Sequence, residues 1–193
     1  MSPTVAHDLD EMDRARERGH ESLVPALLAA VVALAVTLGI PASPLASPLL
    51  EPGDPFPVWS LRDHTGAVVT SQSLAGKTYL LWFYPKAQTP GCTTEGRGLR
   101  DRFEDFRARG IEILGVSFDD PEANAAFVKA EGFPFRLLSD TDKTLATQVG
   151  AVWVSLQPVP SRISYLVGPD GKVRKVFGDV TPATHAGDVL SGL

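Results

Sequence analysis

The sequence predicts an α/β domain with a central mixed sheet flanked by helices, preceded by one N-terminal transmembrane helix. An apolar and aromatic run at 79–84 is typical of a buried strand, and a helical pattern and a second apolar run at 111–118 follow it, forming a β-α-β unit. Runs at 163–167 and 173–177 flank the turn sequence Gly-Pro-Asp-Gly and predict an antiparallel hairpin. An almost unbroken apolar run covers 23–40.

The N-terminal residues divide into a polar and an apolar segment. Residues 1–21 carry six acidic residues and three arginines, a net charge of −3, and are predicted to have little fixed structure. Residues 22–40 carry no charge. A helix of about 20 residues, rising about 1.5 Å per residue, just spans a hydrocarbon core of about 30 Å. We therefore predict a transmembrane helix at 22–40, since the run lacks the polar stripe of a helix buried in a soluble core.

The charge distribution predicts the orientation of this helix. Arginines precede the apolar run and no Lys or Arg follows it until Arg62, so the positive-inside rule places the N-terminus in the cytoplasm. The domain at 51–193 is then extracytoplasmic, in the periplasm, and the proline-rich segment 41–57 is a stiff tether. An uncleaved anchor is favoured because the run is longer than a typical signal-peptide core; secretion after signal cleavage is the alternative.

The domain is predicted to contain a hairpin, the β-α-β unit, a further strand, three further helices and the second hairpin. A turn at Asp-His-Thr-Gly joins the first two strands, Asp120 and Gly132 have the chemistry of helix caps, and Gly150 ends a short helix. The predicted elements are strands at 58–62 and 67–70, a central strand at 79–84, a helix from Cys92 with Leu99, Phe103 and Phe106 on one face, a strand at 111–118, a helix at 120–131, a strand at 135–139, a helix at 141–149, strands at 163–167 and 173–177, and a last helix from about Thr181-Pro182. This order is that of thioredoxin-like folds.

Cys92 is the sole cysteine of the 193 residues. It follows a buried strand and a Thr-Pro-Gly break, which places it at a helix N-terminus. The unpaired N–H groups and the dipole there favour an anion, and therefore the reactive thiolate. A lone cysteine is more often a small buried apolar residue. The loop-to-helix context favours thiol chemistry instead.

The residues around Cys92 resemble the active-site motif of peroxiredoxins, Pro85-x-x-x-Thr89-x-x-Cys92. The longer match, Phe-Tyr-Pro-Lys followed by Thr-Pro-Gly-Cys-Thr-Thr-Glu, resembles the bacterioferritin-comigratory-protein or peroxiredoxin Q branch. The resemblance implies a thiol-dependent peroxidase of hydrogen peroxide and organic hydroperoxides, in which Cys92 becomes sulfenic acid. It also implies that Thr89 and Arg162 hold the peroxide and that Pro85 shields the sulfur. The backbone N–H of Cys92 is a further candidate donor.

Glu95 and Arg97 follow Cys92 on the same predicted helix. Glu95 either holds an arginine in place or is a solvated first-turn carboxylate. Arg97 stands where many peroxiredoxin Q sequences carry a resolving cysteine, so the resemblance implies a 1-Cys enzyme. Its sulfenic acid would be resolved by an external thiol, from a thioredoxin-like protein or a small molecule. Arg97 could also add positive charge near the thiolate.

Other function classes are less well supported. A net charge of −5 without a basic patch argues against nucleic-acid binding. The four histidines are scattered, are interpreted as surface or loop residues, and predict no metal site; no flavin or haem is expected either. A thiol–disulfide oxidoreductase would need Cys-x-x-Cys, and Glu95 occupies the second position. A membrane-tethered, non-catalytic redox sensor or docking protein stays open as the alternative. The domain is expected to be a monomer or a weak dimer.

Overall fold

A computed structural model describes residues 47–153 and 156–193. The polar segment 1–21, the transmembrane segment 22–40 and the first part of the tether lie outside the described residues, so these assignments stay predictions. Among the described residues, no helix is long and apolar enough to cross a membrane.

Strands and helices alternate along the described domain. Their bounds are β1 Ser60–Asp63, β2 Val68–Thr70, a 3-10 helix Ser71–Leu74, β3 Thr78–Phe83, α1 Pro90–Asp101, α2 Phe103–Ala108, β4 Ile111–Ser117, α3 Pro121–Glu131, β5 Arg136–Ser139, α4 Thr144–Gln148, β6 Ile163–Val167, β7 Val173–Phe177 and α5 His185–Ser191. The predicted α/β fold is confirmed.

The strands of the described residues form one seven-stranded mixed sheet in the order β2-β1-β5-β4-β3-β6-β7. The three central strands β5, β4 and β3 are parallel to one another. On one side β1 pairs antiparallel with β5 and β2 with β1, and on the other β6 pairs antiparallel with β3 and β7 with β6. The β3-α-β4 crossover therefore places the start of α1 beyond the carboxyl end of the central strand, where ligands bind in open α/β sheets.

The alternation of side chains along β3 divides the core into two layers. The odd-numbered side chains point to one face of the sheet and the even-numbered ones to the other. One core cluster contains Tyr79, Leu81 and Phe83, and the second contains Leu80, Trp82 and Tyr84. Cys92 lies in the second cluster with Leu99 and Phe106. Because both faces of β3 are buried, its sequence is continuously apolar, as the parallel centre of a sheet requires.

Local signals predicted α3 well. The Asp120 carboxylate accepts a hydrogen bond from the N–H of Ala123 at 2.8 Å, and Pro121 opens the helix. Gly132 ends it with φ of 64°, in the left-handed region that favours glycine. Both caps depend on neighbouring residues alone, which is why the sequence predicts them.

Three helix boundaries differ from the prediction, and one of them is the start of α4, at Thr144 instead of Thr141. The helix that starts before Cys92 does not run on to Phe106; it ends at Asp101, and Arg102, with ψ of 11°, separates it from α2. The last helix begins at His185 rather than near Thr181-Pro182, because Thr181 O accepts the N–H groups of Thr184 and His185 and closes a turn first.

The later part of the predicted tether packs on the domain. Backbone N–H groups of Gly53 and Phe56 donate to Val173 O and Gly171 O at 2.8 and 2.9 Å, and Phe56 is 8% exposed within the core. The described part of the segment turns at 51–54, where Asp54 N–H donates to Glu51 O at 3.1 Å, and from about residue 50 it lies against the β6–β7 hairpin.

Candidate active site

The loop between β3 and α1 is fixed by hydrogen bonds to its surroundings. Ala87 donates its N–H to Asp119 Oδ2 at 2.8 Å, which ties the loop to the chain that follows β4. The Thr89 hydroxyl donates to Lys86 O at 2.9 Å within the loop. Gln88, with φ of 61°, supplies the tight turn between them. The loop thus delivers the chain to the start of α1 in a defined direction.

Cys92 is the third residue of α1 and is fully buried. Backbone N–H groups of a first helical turn have no partner within the helix and point toward its N-terminal end. Thr89 is the N-cap residue, and its carbonyl accepts the N–H of Thr93 at 2.9 Å. The sulfur therefore lies beside the positive end of the helix dipole.

Arg162, immediately before β6, reaches the sulfur from the neighbouring strand. Its Nη2 lies 3.5 Å from Cys92 Sγ, and its side chain is 21% exposed. Gly91 makes room for the guanidinium, because a Cβ at that position would lie 3.1 Å from Arg162 Nη2. The Arg162 guanidinium is therefore in contact with a thiol that lies 70 residues away in the sequence.

Glu95 holds the other side of the Arg162 guanidinium. Its carboxylate is fully buried, and Oε2 accepts a short hydrogen bond from Arg162 Nη1. Burial raises the pKa of Glu95 to about 7, an effect that the indole of Trp82 and the charge of Arg162 partly offset. Of the two readings of Glu95, the geometry fits an arginine partner and excludes a solvated carboxylate.

Comparisons with known proteins agree on one family. The model of the AhpC/TSA family matches residues 52–176. Peroxiredoxin Bcp of Escherichia coli K12 is 39% identical over 150 residues, covering 75% of this chain and 96% of that protein. This chain belongs to the AhpC/TSA family and is a peroxiredoxin of the Bcp and peroxiredoxin Q branch.

Solved structures of the same branch share the fold. Peroxidoxin BcpB from Mycobacterium tuberculosis superposes with a TM-score of 0.69 at 30% identity, covering 74% of this chain and 95% of that one. Xanthomonas campestris bacterioferritin comigratory protein, whose structure was reported in connection with alkyl peroxide reduction, gives a TM-score of 0.65 at 32% identity, covering 69% and 88%. The thioredoxin-like architecture predicted from the element order is thus confirmed.

The other predicted site residues lie close to Cys92 in the chain but make different contacts. Thr89 is half-buried, and its hydroxyl is hydrogen-bonded to Lys86 O. Pro85 is half-buried at the start of the loop. Arg97 points elsewhere: its Nε donates to Glu131 Oε2 at 2.6 Å on α3, so its charge is matched there. The suggestion that Arg97 adds positive charge at the thiolate is not favoured by this pairing.

Two further polar residues of the peroxiredoxin lie behind the site and were not predicted. His185 on α5 is 1% exposed, so its interpretation as a surface or loop residue is wrong. Its Nε2 lies 2.9 Å from Ser164 Oγ and 3.7 Å from Glu95 Oε1. Ser164 could have been noticed as a polar residue inside an apolar strand, two positions from Arg162 and so on the same face. No sequence signal links His185 to the cysteine.

Proposed function

We propose that this peroxiredoxin reduces hydrogen peroxide and organic hydroperoxides by direct attack of the Cys92 thiolate, as a 1-Cys enzyme. The observation that carries the proposal is the contact between Arg162 Nη2 and Cys92 Sγ, held in place by buried Glu95. An arginine oriented in this way stabilises the thiolate before the reaction and negative charge on oxygen during it. The alkyl peroxide activity stated for the Xanthomonas relative supports the range of substrates.

The first half-reaction forms a sulfur–oxygen bond and breaks the oxygen–oxygen bond. The thiolate donates its electron pair to one peroxide oxygen, Cys92 becomes sulfenic acid, and the other oxygen leaves as water or an alcohol after taking up a proton. Arg162, the Cys92 N–H and the Thr89 hydroxyl are the donors proposed to meet the charge on the leaving oxygen. For Thr89 this requires its hydroxyl to turn from Lys86 O to the peroxide. Pro85 is proposed to limit access of water to the sulfur.

The second half-reaction requires a thiol from outside the chain. Cys92 is the sole cysteine, and Arg97 stands five residues after it. One external thiol condenses with the sulfenic acid to a mixed disulfide and releases water; a second thiol then reduces that disulfide and frees Cys92. A thioredoxin-like protein or a small thiol fits this requirement.

The proposed location follows from sequence alone. A helix at 22–40 would anchor the chain with the N-terminus in the cytoplasm and the domain in the periplasm, as a monomer or weak dimer. Cleavage of the helix would instead release the domain. The length of the apolar run supports the anchored form, and the charge distribution around it supports the orientation.

The single cysteine also favours a second candidate, a sensor that oxidises once and recruits a partner. Continuous consumption of peroxide by the full-length chain with dithiothreitol separates the two. We expect many equivalents of peroxide to be consumed per chain, with no consumption above background in Cys92→Ser. Consumption that stops after one equivalent, with the reductant still present, would contradict the enzyme and favour the sensor.

A further inference from the structure

A buried row of polar side chains continues from the proposed site into the protein interior. Arg162 contacts Cys92, Glu95 contacts Arg162, and His185 lies behind Glu95, 3.7 Å from its Oε1. Ser164 closes the row with its Oγ 2.9 Å from His185 Nε2. Three elements therefore meet here: α1, β6 with the residue before it, and α5.

One oxygen of Glu95 lacks a partner of its own. Oε2 binds Arg162, but within residues 47–153 and 156–193 the buried Oε1 has no hydrogen bond. A buried carboxylate oxygen without a donor is costly, because water is not available to replace the missing bond. Two polar groups lie beside the carboxylate: the indole of Trp82, which favours its ionised form, and His185 Nε2, 3.7 Å from Oε1. The direction in which the His185 proton points therefore contributes to the charged state of Glu95.

The surroundings of His185 keep the ring neutral. Burial, opposed by the charge of Asp188 and assisted by that of Arg162, lowers the pKa of His185 to about 4. The ring of Phe177 on β7 covers it at 5.7 Å in an edge-on contact. At neutral pH His185 is thus a neutral ring with one N–H, not a counterion of Glu95.

The position of that single N–H follows from electrostatics. With the proton on Nδ1, Nε2 would accept a hydrogen bond from the Ser164 hydroxyl, but its lone pair would also face the carboxylate oxygen of Glu95 and repel it. With the proton on Nε2, the N–H donates to Ser164 Oγ and lies beside Glu95 Oε1, which attracts it. An ionised Glu95 and the Nε2–H tautomer therefore stabilise each other.

We propose that His185 is a positioning residue of the peroxidase reaction: its Nε2–H, held by Ser164, keeps Glu95 anionic and directed at Arg162, and Arg162 in turn holds Cys92 as a thiolate. The inference rests on the proposed roles of Cys92 and Arg162. Glu95 is the sensitive link: burial raises its pKa to about 7, so losing a neighbouring N–H donor shifts its protonation at neutral pH toward the neutral acid. A neutral Glu95 no longer anchors the guanidinium by charge.

Two substitutions of His185 separate positioning from packing. His185→Leu fills the space without a donor, whereas His185→Gln offers an amide N–H near the Nε2 position. In the full-length chain we expect Leu to slow peroxide oxidation of Cys92 on the order of tenfold, as a misplaced catalytic group does, and Gln to restore most of the rate. The pH midpoint of thiolate formation, followed by ultraviolet absorbance, should rise in the Leu variant and return in the Gln variant.

A double-mutant cycle with Glu95→Gln tests the route. If His185 acts through Glu95, adding His185→Leu to Glu95→Gln should slow the reaction little further; independent losses that multiply would overturn the proposal. Should His185→Leu fail to fold, Ser164→Ala removes the partner of Nε2 with a smaller change and should slow the reaction severalfold.

The outcomes also distinguish this proposal from the one on which it rests. Wild-type oxidation no faster than that of a free thiol would refute the proposed function itself. The role of His185 alone would be overturned by a different set of results. In that case the wild type is oxidised fast and Arg162→Ala slowly, but His185→Leu leaves both the oxidation rate and the pH midpoint of thiolate formation unchanged.

Discussion

Replacement of Arg162 by alanine is expected to slow the oxidation of Cys92 by hydrogen peroxide by about 10²- to 10³-fold, the usual effect of removing a preorganised donor to a developing oxyanion. The variant loses the cation 3.5 Å from Sγ and leaves the buried Glu95 carboxylate without its partner. Arg162→Lys should recover only part of the rate. It keeps the positive charge, but a single ammonium cannot bind Glu95 and contact the sulfur through two separate nitrogens as the guanidinium does. Stopped-flow fluorescence measures both.

Arg97→Ala is the matched control for this prediction. Arg97 lies on the cysteine helix but is 55% exposed and bound to Glu131, so its removal deletes one positive charge without touching the sulfur. We expect a rate close to that of the wild type. Equal effects of Arg97→Ala and Arg162→Ala would mean that net charge, and not the contact with Cys92, controls the reaction.

Replacement of Gly96 by alanine is expected to destabilise the domain by about 1–3 kcal/mol or more, the range for overpacked cores. A Cβ at Gly96 would lie 2.5 Å from Phe133 Cζ and 3.0 Å from Trp82 Cη2. Phe133 cannot move aside freely, because its ring stacks on Phe135 at 5.0 Å and meets Phe127 edge-on at 4.9 Å. Chemical denaturation of the two proteins gives the difference in free energy of unfolding.

Replacement of Gly98 by alanine, two residues along the same helix, is expected to have the opposite effect on stability. The nearest atom to a Cβ there is Ala186 Cβ at 3.8 Å, an ordinary contact. Alanine should therefore stabilise by about 0.5–1 kcal/mol, since it restricts the unfolded chain and suits a helix interior. If both variants change stability in the same direction and by similar amounts, the packing against Phe133 does not explain why position 96 is glycine.

The sequence predicted the features that depend on neighbours in the chain. The apolar run of β3, the Asp120 and Gly132 caps and the position of Cys92 in the first turn of a helix all follow from local chemistry. The helix break at Arg102 and the start of the last helix at His185 were not predicted, because turn hydrogen bonds, such as that from Thr184 N–H to Thr181 O, decide where regular helix begins and ends. Periodicity alone cannot weigh those bonds.

The site was predictable in part for the same reason. Pro85, Thr89, Cys92 and Glu95 fall within one short motif, and Arg162 was found through the family resemblance. His185 escaped notice because its relation to Glu95 exists only after α1 and α5 pack together, 90 residues apart. The pKa values of Glu95 and His185 are changed by burial, and this burial arises from tertiary packing. The position of a histidine in the sequence does not show whether it will be buried.

The most direct test of the account is the reaction of the reduced full-length chain with hydrogen peroxide under stopped flow, followed by trapping of sulfenic acid and mass spectrometry. We predict a rate proportional to peroxide concentration, orders of magnitude above that of a free thiol, with Cys92 as the trapped residue; Trp82, in the same core cluster, offers a fluorescence signal. Oxidation of Cys92 as slow as that of a free thiol would contradict the assignment of this site as a peroxidase centre.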